Sequence, residues 1–598
     1  MKKKSILEKK RTMSTIMGLV LVASISLGVA GCGNKNEADN TPQASSSSDS
    51  SASPEATTKV PTPVTLKISG PTGSFAKDYP SGVQNDEVAI EIAKQTGVSL
   101  DFETHPDDQK FNIMLASGDL PDIIVTEKKY IKQLIEGNNI IPMDDLLLSN
   151  GKDIVAESQN KLDFSKKYLS NETNKVYFIQ GFDGPPAKPD NYSSVAPVIR
   201  WDLYKELGYP AVNTTDDLLN VLKQMQDKHP TNEEGKKVYG LSPWIGDQAW
   251  KLWNVVTYFG YNVKGTNEGS ANHLFDIDPQ YNAKSLITEN DSSLWTGLRF
   301  YNKANRMGIL DPDSFTQKFD NAGEKGKSNR VLSSWVAWSL GGANENFVKA
   351  GHPEKGFESL PPMKGTSQYL GHYNALGQET RLYAISKNSK NPEKAMEVIN
   401  FLQSSAGSEL LWNGVKDVHW KLDNGKPVVL ESVLQASKSD PDFEAKTGIL
   451  KYTNFAGHGN GYVDKTLNTT VSFPSWSEYT RNTMSVLDKD FSEHYGVSYP
   501  GEVVEKMVEK GDAKLSAFNT IIDSLLPTAP DDIKRIDDKI MEYLVNNYPK
   551  AILEKSDEKF EAKKQEMIDD IMKMDYQKSF DFWSKAIVEA QTEAQKYN

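Results

Sequence analysis

Two hydrophobic periods alternate along the first part of the globular region. Apolar side chains recur at helical spacing in two segments that end at Gly97 and Gly118, which predicts two helices. Short strands are predicted before, between and after them: 64–68, 98–102 and 121–125. This β-α-β-α-β order predicts an α/β fold with a parallel sheet covered by helices on both faces. Ligands of such sheets lie at the carboxyl ends of the strands, so the loops after Ile68 and Val125 are the first candidates.

Helical periodicity returns further along the chain. The pattern predicts helices over 201–207 and 215–228, and another that begins at Asn391 with Pro392 in its first turn. The C-terminal region differs, because its apolar positions lie within long, strongly charged helical patterns: 502–526, 531–546 and 556–590. These segments predict a C-terminal α-helical extension.

The N-terminus has the pattern of a secretory signal peptide. Six Lys and Arg side chains precede a nearly unbroken apolar run over 16–30, which is shorter than the ~20 residues that span a bilayer. The run ends in small residues before Cys32, the only cysteine, and this resembles the lipobox of bacterial lipoproteins. We therefore expect 1–31 to be a lipoprotein signal peptide and Cys32 to carry lipid. That places the protein at the cell membrane, lipid-anchored on its extracytoplasmic face.

Composition separates a tether from the body. Residues 32–63 are rich in Ser, Asn, Thr and Pro with almost nothing to bury, so we expect a disordered linker with a reach of about 30 Å. The remaining chain is too long for one compact core, and a single cysteine excludes an internal disulfide. The formal charge is −13, and since the leader contributes about five positive charges, the body is more acidic still. This argues against nucleic acid as a ligand.

Five motifs occur in one order along the body: ASGDLPD at 116–122, IIPMDDL at 140–146, RWDLYKELG at 200–208, RLYAISKNSKNPEKA at 381–395 and GVKDVHW at 414–420. In that order they resemble the family 1 extracellular solute-binding proteins, in particular the long lipoprotein members from Gram-positive bacteria. The resemblance implies a two-lobed periplasmic-binding-protein-like (type II) fold with a hinge. It also implies capture of a small-molecule solute for an ABC importer, with permease subunits as partners. We expect no cofactor, and we expect a monomer because cleft closure suits one.

The resemblance also implies lobes built from discontinuous sequence, with crossovers near 185–190, 350 and 415. We expect an N-terminal lobe from 64–188 plus 351–415, a C-terminal lobe from 189–350 plus 416–500, and the helical extension 501–598 on the C-terminal lobe. A solute that contacts both lobes favours the closed state. Many relatives carry a calcium loop, but 230–239 is poor in oxygen ligands, so we predict no metal site there.

A sugar site needs aromatic rings and polar side chains that bond hydroxyls. The tryptophans cluster, and most must be core residues. Arg200 and Asp202 are expected to bind each other across the hinge, with a role as solute ligands as the alternative. The residues we expect to bind solute, against the alternative of local turn or packing roles, are Asp119, Trp244, Trp250, Trp338, Tyr373, Arg381 and Trp420.

Two other classes of protein remain as alternatives. A secreted glycan-active enzyme would need two placed carboxylates, and 81 acids make such pairs uninformative. Nucleophile-elbow and zinc-protease motifs are absent from the sequence, so we expect no catalytic residue. A lipoprotein adhesin or receptor without a transport role is the second alternative. Carbohydrate, and an oligosaccharide in particular, is the expected solute.

Overall fold

A computed structural model of the 598-residue chain describes residues 63–74, 79–181, 197–247, 250, 252–256, 258–259, 274–277, 283–364, 366, 369–370, 376, 381–440, 442–515 and 521–597. The expected signal peptide, Cys32, the linker up to residue 62, the crossover near 185–190 and Tyr373 lie outside the described residues. Residues 61–598 form one compact unit. No helix in the described ranges is both long and apolar enough to cross a membrane.

The strands, in chain order, are β1 (Val64–Ser69), β2 (Gly82–Val83), β3 (Val98–Phe102), β4 (Ile123–Thr126), β5 (Ile179–Gln180), β6 (Val198–Arg200), β7 (Tyr239–Leu241), β8 (Phe275–Ile277), β9 (Ala283–Ser285), β10 (Val331–Ser334), β11 (Phe357–Ser359), β12 (Tyr369–Leu370), β13 (Leu382–Ile385), β14 (Trp420–Asp423), β15 (Lys426–Val429), β16 (Val463–Asp464), β17 (Thr469–Thr470) and β18 (Lys514–Leu515).

The α-helices are α1 (Glu87–Thr96), α2 (Asp108–Ser117), α3 (Ile131–Glu136), α4 (Asp144–Asn150), α5 (Lys152–Glu157), α6 (Gln159–Tyr168), α7 (Trp201–Glu206), α8 (Thr215–Lys228), α9 (Trp253–Val256), α10 (Ser293–Arg306), α11 (Phe319–Lys327), α12 (Ala343–Lys349), α13 (Pro392–Gln403), α14 (Ser405–Asn413), α15 (Glu431–Ser439), α16 (Phe443–Thr447), α17 (Ser477–Thr483), α18 (Val486–Tyr495), α19 (Gly501–Lys510), α20 (Ile521–Leu525), α21 (Asp531–Ile552), α22 (Asp557–Met572) and α23 (Tyr576–Ala594).

The first lobe is built on a sheet with strand order β2-β3-β1-β4-β13-β5. Strand β1 pairs in parallel with both β3 and β4, which confirms the β-α-β-α-β prediction. Helices α1 and α2 begin at side-chain caps and end at Gly97 and Gly118, whose φ angles of 70° and 73° require the left-handed region. Strand β13 returns from far along the chain and pairs antiparallel with β4 and β5. All four of its residues are buried, as expected for a central strand covered on both faces.

The second lobe is built on a smaller sheet with strand order β11-β6-β10-β7. Strands β7 and β10 are parallel neighbours, whereas β6 is antiparallel to β10 and β11. Helices α7 and α8 match the predicted segments, and α8 begins at a capping box between Thr214 and Asp217. Arg200 binds Asp202 through two hydrogen bonds of 3.0 and 2.8 Å and lies 4.7 Å from the Phe347 ring. The two side chains therefore bind each other, as expected, but they do so within the second lobe rather than across the hinge.

The C-terminal extension is helical but more broken than the sequence predicts. The expected helix over 502–526 ends at Lys510, because Gly511 takes φ 80° and β18 follows. The pattern over 556–590 divides into α22 and α23 at Asp575, which has φ 59°. Left-handed residues terminate helices, and hydrophobic periodicity alone does not mark them.

Helix α23 contacts the cores of both lobes. Near its start, Tyr576 is buried in the core of the second lobe, and its hydroxyl lies 2.6 Å from Ser285 Oγ. Near its end, Ala590 and Ala594 pack in a cluster with Phe164 of the first lobe. Residues 449–456 also cross the predicted division, because Tyr452 and Phe455 pack in the core of the first lobe. The lobe boundaries themselves stay a prediction.

Candidate functional site

The carboxyl ends of β7 and β10 bring two aromatic segments together in the second lobe. The chain leaves β7 toward Trp244, Trp250 and Trp253, and leaves β10 toward Trp338. Because parallel strands end at the same edge of a sheet, segments that lie far apart in sequence meet there. We call these four side chains the tryptophan cluster.

The four rings of the tryptophan cluster pack closely together. Every pair of its four rings has a centroid separation of 5.2–5.9 Å. Phe319 borders it at 5.1 Å from Trp244 and 5.6 Å from Trp338. Trp244 and Trp253 are 3 % and 4 % exposed, whereas Trp338 is 42 % exposed and carries the accessible ring. The cluster thus has a buried base and one solvent-facing platform.

Two backbone features support the turn that carries Trp338. It lies in the short 3-10 turn Ala337–Leu340, which ends at Gly341 with φ 61°. Helix α11 packs on that turn so closely that a Cβ added to Gly326 would lie 2.7 Å from the Leu340 carbonyl oxygen. A side chain at Gly326 would therefore push the turn that presents Trp338 away from its support.

Polar groups gather at the corresponding edge of the first lobe. Arg381 precedes β13, and its neighbour Leu382 pairs with Thr126 at the carboxyl end of β4. Burial raises the pKa of Tyr79, while a hydrogen bond from Asn454 and the nearby positive charge of Arg381 oppose that rise. Arg381 thus reaches the edge at which a ligand of an α/β sheet is expected.

Several oxygens at this edge are buried without a hydrogen-bond partner among the described residues: Ser74 Oγ, Thr126 Oγ1 and Glu127 Oε1. The other carboxylate oxygen of Glu127 pairs with Lys129 Nζ at 3.0 Å. Buried polar atoms are normally satisfied, so three unpaired oxygens beside one strand end are an exception.

Two predicted residues lie elsewhere. Asp119 is exposed and precedes β4, and its N–H donates to Ser117 Oγ at 3.3 Å, which is local turn chemistry. It therefore lies at the amino end of the strand, away from the carboxyl edge. Trp420 is 1 % exposed, and its indole N–H donates to the Gly414 carbonyl at 3.1 Å. That packing leaves no free ring face for a solute, so the structure gives Trp420 a core role.

The predicted oxygen-poor loop over 230–239 uses its oxygens internally. Asn232 Oδ1 accepts hydrogen bonds from the N–H groups of Glu234 and Lys236 at 3.1 and 2.9 Å, and Glu234 pairs with Lys236 at 2.6 Å. Across the described part of the chain, no group of three or more His, Cys, Asp or Glu side chains is placed to hold a metal ion.

Sequence reasoning did not select Trp253 and Phe319, although both border the predicted rings. Trp253 follows Trp250 by three residues, a spacing that places two side chains on one face of a helical turn and could have found it. Phe319 carries no local signal, because it reaches Trp338 only through the packing of α11 on the turn.

Comparison with known proteins identifies the class of this chain. The model of the bacterial extracellular solute-binding protein family matches residues 87–409, more than half of the chain. The chain belongs to this family. It is thus a solute-binding protein and not an enzyme, and the predicted fold class is confirmed.

Individual relatives of this solute-binding protein are distant. The fructooligosaccharide ABC transporter substrate-binding protein FusA of Streptococcus pneumoniae is 25% identical over 395 residues, which cover 63% of this chain and 66% of FusA. Lipoprotein LipO of Bacillus subtilis is 25% identical over 399 residues, which cover 61% of this chain and 70% of LipO. The structure of S. pneumoniae FusA with kestose superposes with a TM-score of 0.54 at 15% identity, covering 88% of this chain and 100% of that one. That similarity establishes the shared two-lobed fold.

Proposed function

We propose that this solute-binding protein captures an oligosaccharide for an ABC importer. The observation that carries the proposal is the tryptophan cluster, whose one exposed ring, Trp338, lies at the carboxyl edge of the second sheet. Sugar rings present flat C–H faces that stack on aromatic rings, and their hydroxyls need polar partners. The unpaired oxygens and Arg381 at the edge of the first lobe provide such partners.

The relatives support the same chemistry. FusA is named for fructooligosaccharide and was crystallised with kestose, and both curated relatives are named as a transporter component or a lipoprotein. We propose that the solute lies between the two lobes and that its contacts with both favour closure. Trp250, Trp338 and Arg381 are the side chains we propose as solute contacts, with Trp244 beneath them.

Anchoring and partners complete the proposal. Cys32 carries the lipid, the Ser-rich residues after it form the tether, and the permease subunits meet a monomer at the outer face of the membrane. Cys32→Ala should move the protein from the membrane fraction into the medium, with unchanged solute affinity. Retention of the variant in the membrane fraction would contradict lipid attachment at Cys32.

A thermal-shift screen of the purified protein tests the proposed function. The panel contains kestose, other neutral oligosaccharides, monosaccharides, peptides and polyols. A true solute at 100 times its Kd stabilises the folded state by about 2.7 kcal/mol, which raises the Tm measurably. A shift confined to one oligosaccharide class, without turnover, supports the proposal. Turnover of a glycan would contradict simple capture of the solute, and no shift with any sugar would contradict a carbohydrate solute.

Trp338 gives the sharper test. Trp338→Ala removes the exposed platform and should weaken binding of the active oligosaccharide about tenfold or more, while Trp338→Phe keeps a ring and loses less. Leu422→Ala is the control, because Leu422 is also an exposed apolar side chain, at 40 %, but lies on β14 outside the cluster. Equal affinity of Trp338→Ala and the wild type would exclude Trp338 as a solute contact.

A further inference from the structure

A small cavity lies behind the tryptophan cluster, at the carboxyl ends of β7 and β10. Its volume is about 20 Å³, and Trp244 and Trp253 of the cluster form part of its wall. A water molecule, or a hydroxyl group of the same size, needs about 10–15 Å³ of such space. The cavity therefore has room for about one oxygen atom with its hydrogens.

Three residues that line this cavity each carry a buried polar atom with no hydrogen-bond partner among the described residues: Trp244 Nε1, Tyr258 OH and Ser333 Oγ. We call the space that they border the hydroxyl pocket. Unpartnered buried polar groups are rare and destabilising, so three on one small cavity indicate an occupant.

Neighbouring polar groups at the pocket do have hydrogen-bond partners, in contrast to the three unpartnered atoms. Trp335 Nε1 donates to Tyr301 OH at 3.0 Å, and that hydroxyl donates to the Asn254 carbonyl at 2.9 Å. Asn254 Nδ2 in turn donates to the Trp244 carbonyl at 3.3 Å. This chain of hydrogen bonds runs past the hydroxyl pocket without including its three free atoms.

The chemistry of the three atoms defines the occupant. An indole N–H only donates, so the occupant must accept a hydrogen bond from Trp244, while the Tyr258 and Ser333 hydroxyls both donate and accept. Burial raises the pKa of Tyr258 well above its ordinary value, which keeps its hydroxyl protonated. Among the described residues that line the pocket there is no Asp, Glu, Lys, Arg or His, which favours a neutral occupant over a charged one.

We propose that the hydroxyl pocket binds one neutral hydroxyl oxygen, which bonds to Trp244 Nε1, Tyr258 OH and Ser333 Oγ. Two sources share this chemistry: a water molecule in the solute-free protein, and a hydroxyl of the bound sugar that replaces it. The second source rests on the proposed function, whereas the first does not. Because Trp244 is the buried base of the cluster, the occupant also fixes the tilt of that ring.

Crystal structures of the full protein, without sugar and with kestose, test the occupant. Without sugar, we expect one ordered water within hydrogen-bond distance of all three atoms, and an empty pocket would overturn the proposal. With kestose bound, a sugar hydroxyl in place of the water identifies the second source. Kestose bound with the water retained would overturn the proposal that a sugar hydroxyl enters the pocket. Failure of kestose to bind would count against kestose as the solute. The sugar-free structure would still decide whether a water molecule occupies the pocket.

Stability measurements give an independent test, because an occupied pocket and an empty pocket predict different changes in Tm for Ser333→Ala. If Ser333 Oγ holds an occupant, Ser333→Ala breaks a hydrogen bond and lowers the Tm; if it is truly unpaired, the same change leaves the Tm unchanged or raises it. Ser472→Ala is the matched control, since Ser472 Oγ is also buried and unpartnered but does not line the pocket. No fall in Tm for Ser333→Ala, or an equal fall in both variants, would overturn the proposal.

The affinity for kestose distinguishes a pocket that binds a sugar hydroxyl from one that has only a structural role. Tyr258→Phe and Ser333→Ala should each weaken kestose binding about five- to tenfold, because each removes a hydrogen-bond partner of the inserted hydroxyl. A kestose analogue lacking that hydroxyl should bind the wild type and the variants equally well. Unchanged kestose affinity in both variants would overturn the proposal that a sugar hydroxyl enters the pocket.

Discussion

Asp86 and Asp107 have the same local role at two helix starts but different surroundings. Each accepts a hydrogen bond from a backbone N–H in the first turn, at 2.9 and 2.8 Å. Asp107 is exposed, whereas Asp86 is 3 % exposed and also accepts from Lys451 Nζ at 2.8 Å and from the Tyr452 hydroxyl. Asp86 thus fastens the segment 451–452 to the first lobe.

Asp86→Ala should lower the free energy of unfolding by about 3–5 kcal/mol, because it leaves the Lys451 ammonium buried without its partner. Asp107→Ala removes only a cap and should cost about 1 kcal/mol. Urea unfolding of both variants measures the difference. Similar losses in the two variants would mean that the Lys451 pair adds nothing beyond the cap.

Glu409 on α14 makes stability depend on pH. Burial, and then the charge of Asp464, raises its pKa from 4.5 to about 7, while Lys416 opposes the rise. A raised folded-state pKa favours folding at low pH, and that contribution is lost as pH rises from about 4.5 through 7. Glu409→Gln should therefore gain in Tm relative to the wild type between pH 5 and pH 8.

Differential scanning calorimetry at the two pH values measures this change. Glu431→Gln, at an exposed position on α15, is the control and should show the same difference from the wild type at both. A Tm difference for Glu409→Gln that does not change with pH would contradict the raised pKa.

Helix α11 has two glycines at which substitution by alanine should have opposite effects on stability. A Cβ on Gly326 would lie 2.7 Å from the Leu340 carbonyl oxygen, whereas the nearest atom to a Cβ on Gly323 is 3.7 Å away. Gly323→Ala should be neutral or stabilise by up to about 1 kcal/mol through helix propensity. Gly326→Ala should lower the Tm and weaken solute binding, because it displaces the turn that carries Trp338.

Thermal unfolding and oligosaccharide titration of the two variants distinguish these effects. Equal Tm values would mean that α11 and the turn can separate without penalty. A Gly326→Ala variant that loses stability but keeps its affinity would show that Trp338 does not depend on this support.

Local sequence patterns predicted where helices and strands lie better than they predicted which strands pair with each other. The strands around α1 and α2, and the glycines that end these helices, follow from periodicity and from the left-handed conformation that glycine favours. The pairing of β13 with β4 does not follow from such patterns. Four consecutive apolar residues fit either a buried strand or a helix, and they do not indicate which strand lies beside them.

The candidate site divides in the same way. Clustering of tryptophans along the sequence drew attention to Trp244, Trp250 and Trp338, and the structure brings the three rings together. Clustering did not separate them from Trp420, because it does not report whether a ring face is covered. The contact of Phe319 with Trp338 and the unpaired atoms of the hydroxyl pocket are defined by tertiary packing alone.

At the scale of the whole molecule, the end of α23 is held by a compact polar contact. Glu593 pairs with Lys167 and accepts from the Tyr168 hydroxyl at 2.6 Å, and Tyr597 packs 5.6 Å from Phe164. Hydrogen bonds from Lys167, Lys596 and Tyr168 lower the pKa of Glu593 to about 2. A lowered pKa supports folding above about pH 4.5, and this support is lost as pH falls toward 2.

Glu593→Gln should loosen α6 from α23, because the amide cannot replace the carboxylate toward Lys167. Hydrogen exchange at pH 7 should become faster in α6, with little change in α21. Glu589→Gln, one turn earlier on the exposed face of α23, is the matched control. Unchanged exchange in α6 would mean that apolar packing alone holds the end of the helix.

Because α23 is buried in the second lobe at one end and in the first at the other, neither lobe has a complete core of its own. Melting of either lobe would strip α23 of part of its support and expose apolar surface on the other. We therefore expect the body to unfold in one calorimetric transition with equal van't Hoff and calorimetric enthalpies. Two separate calorimetric transitions would contradict this coupling.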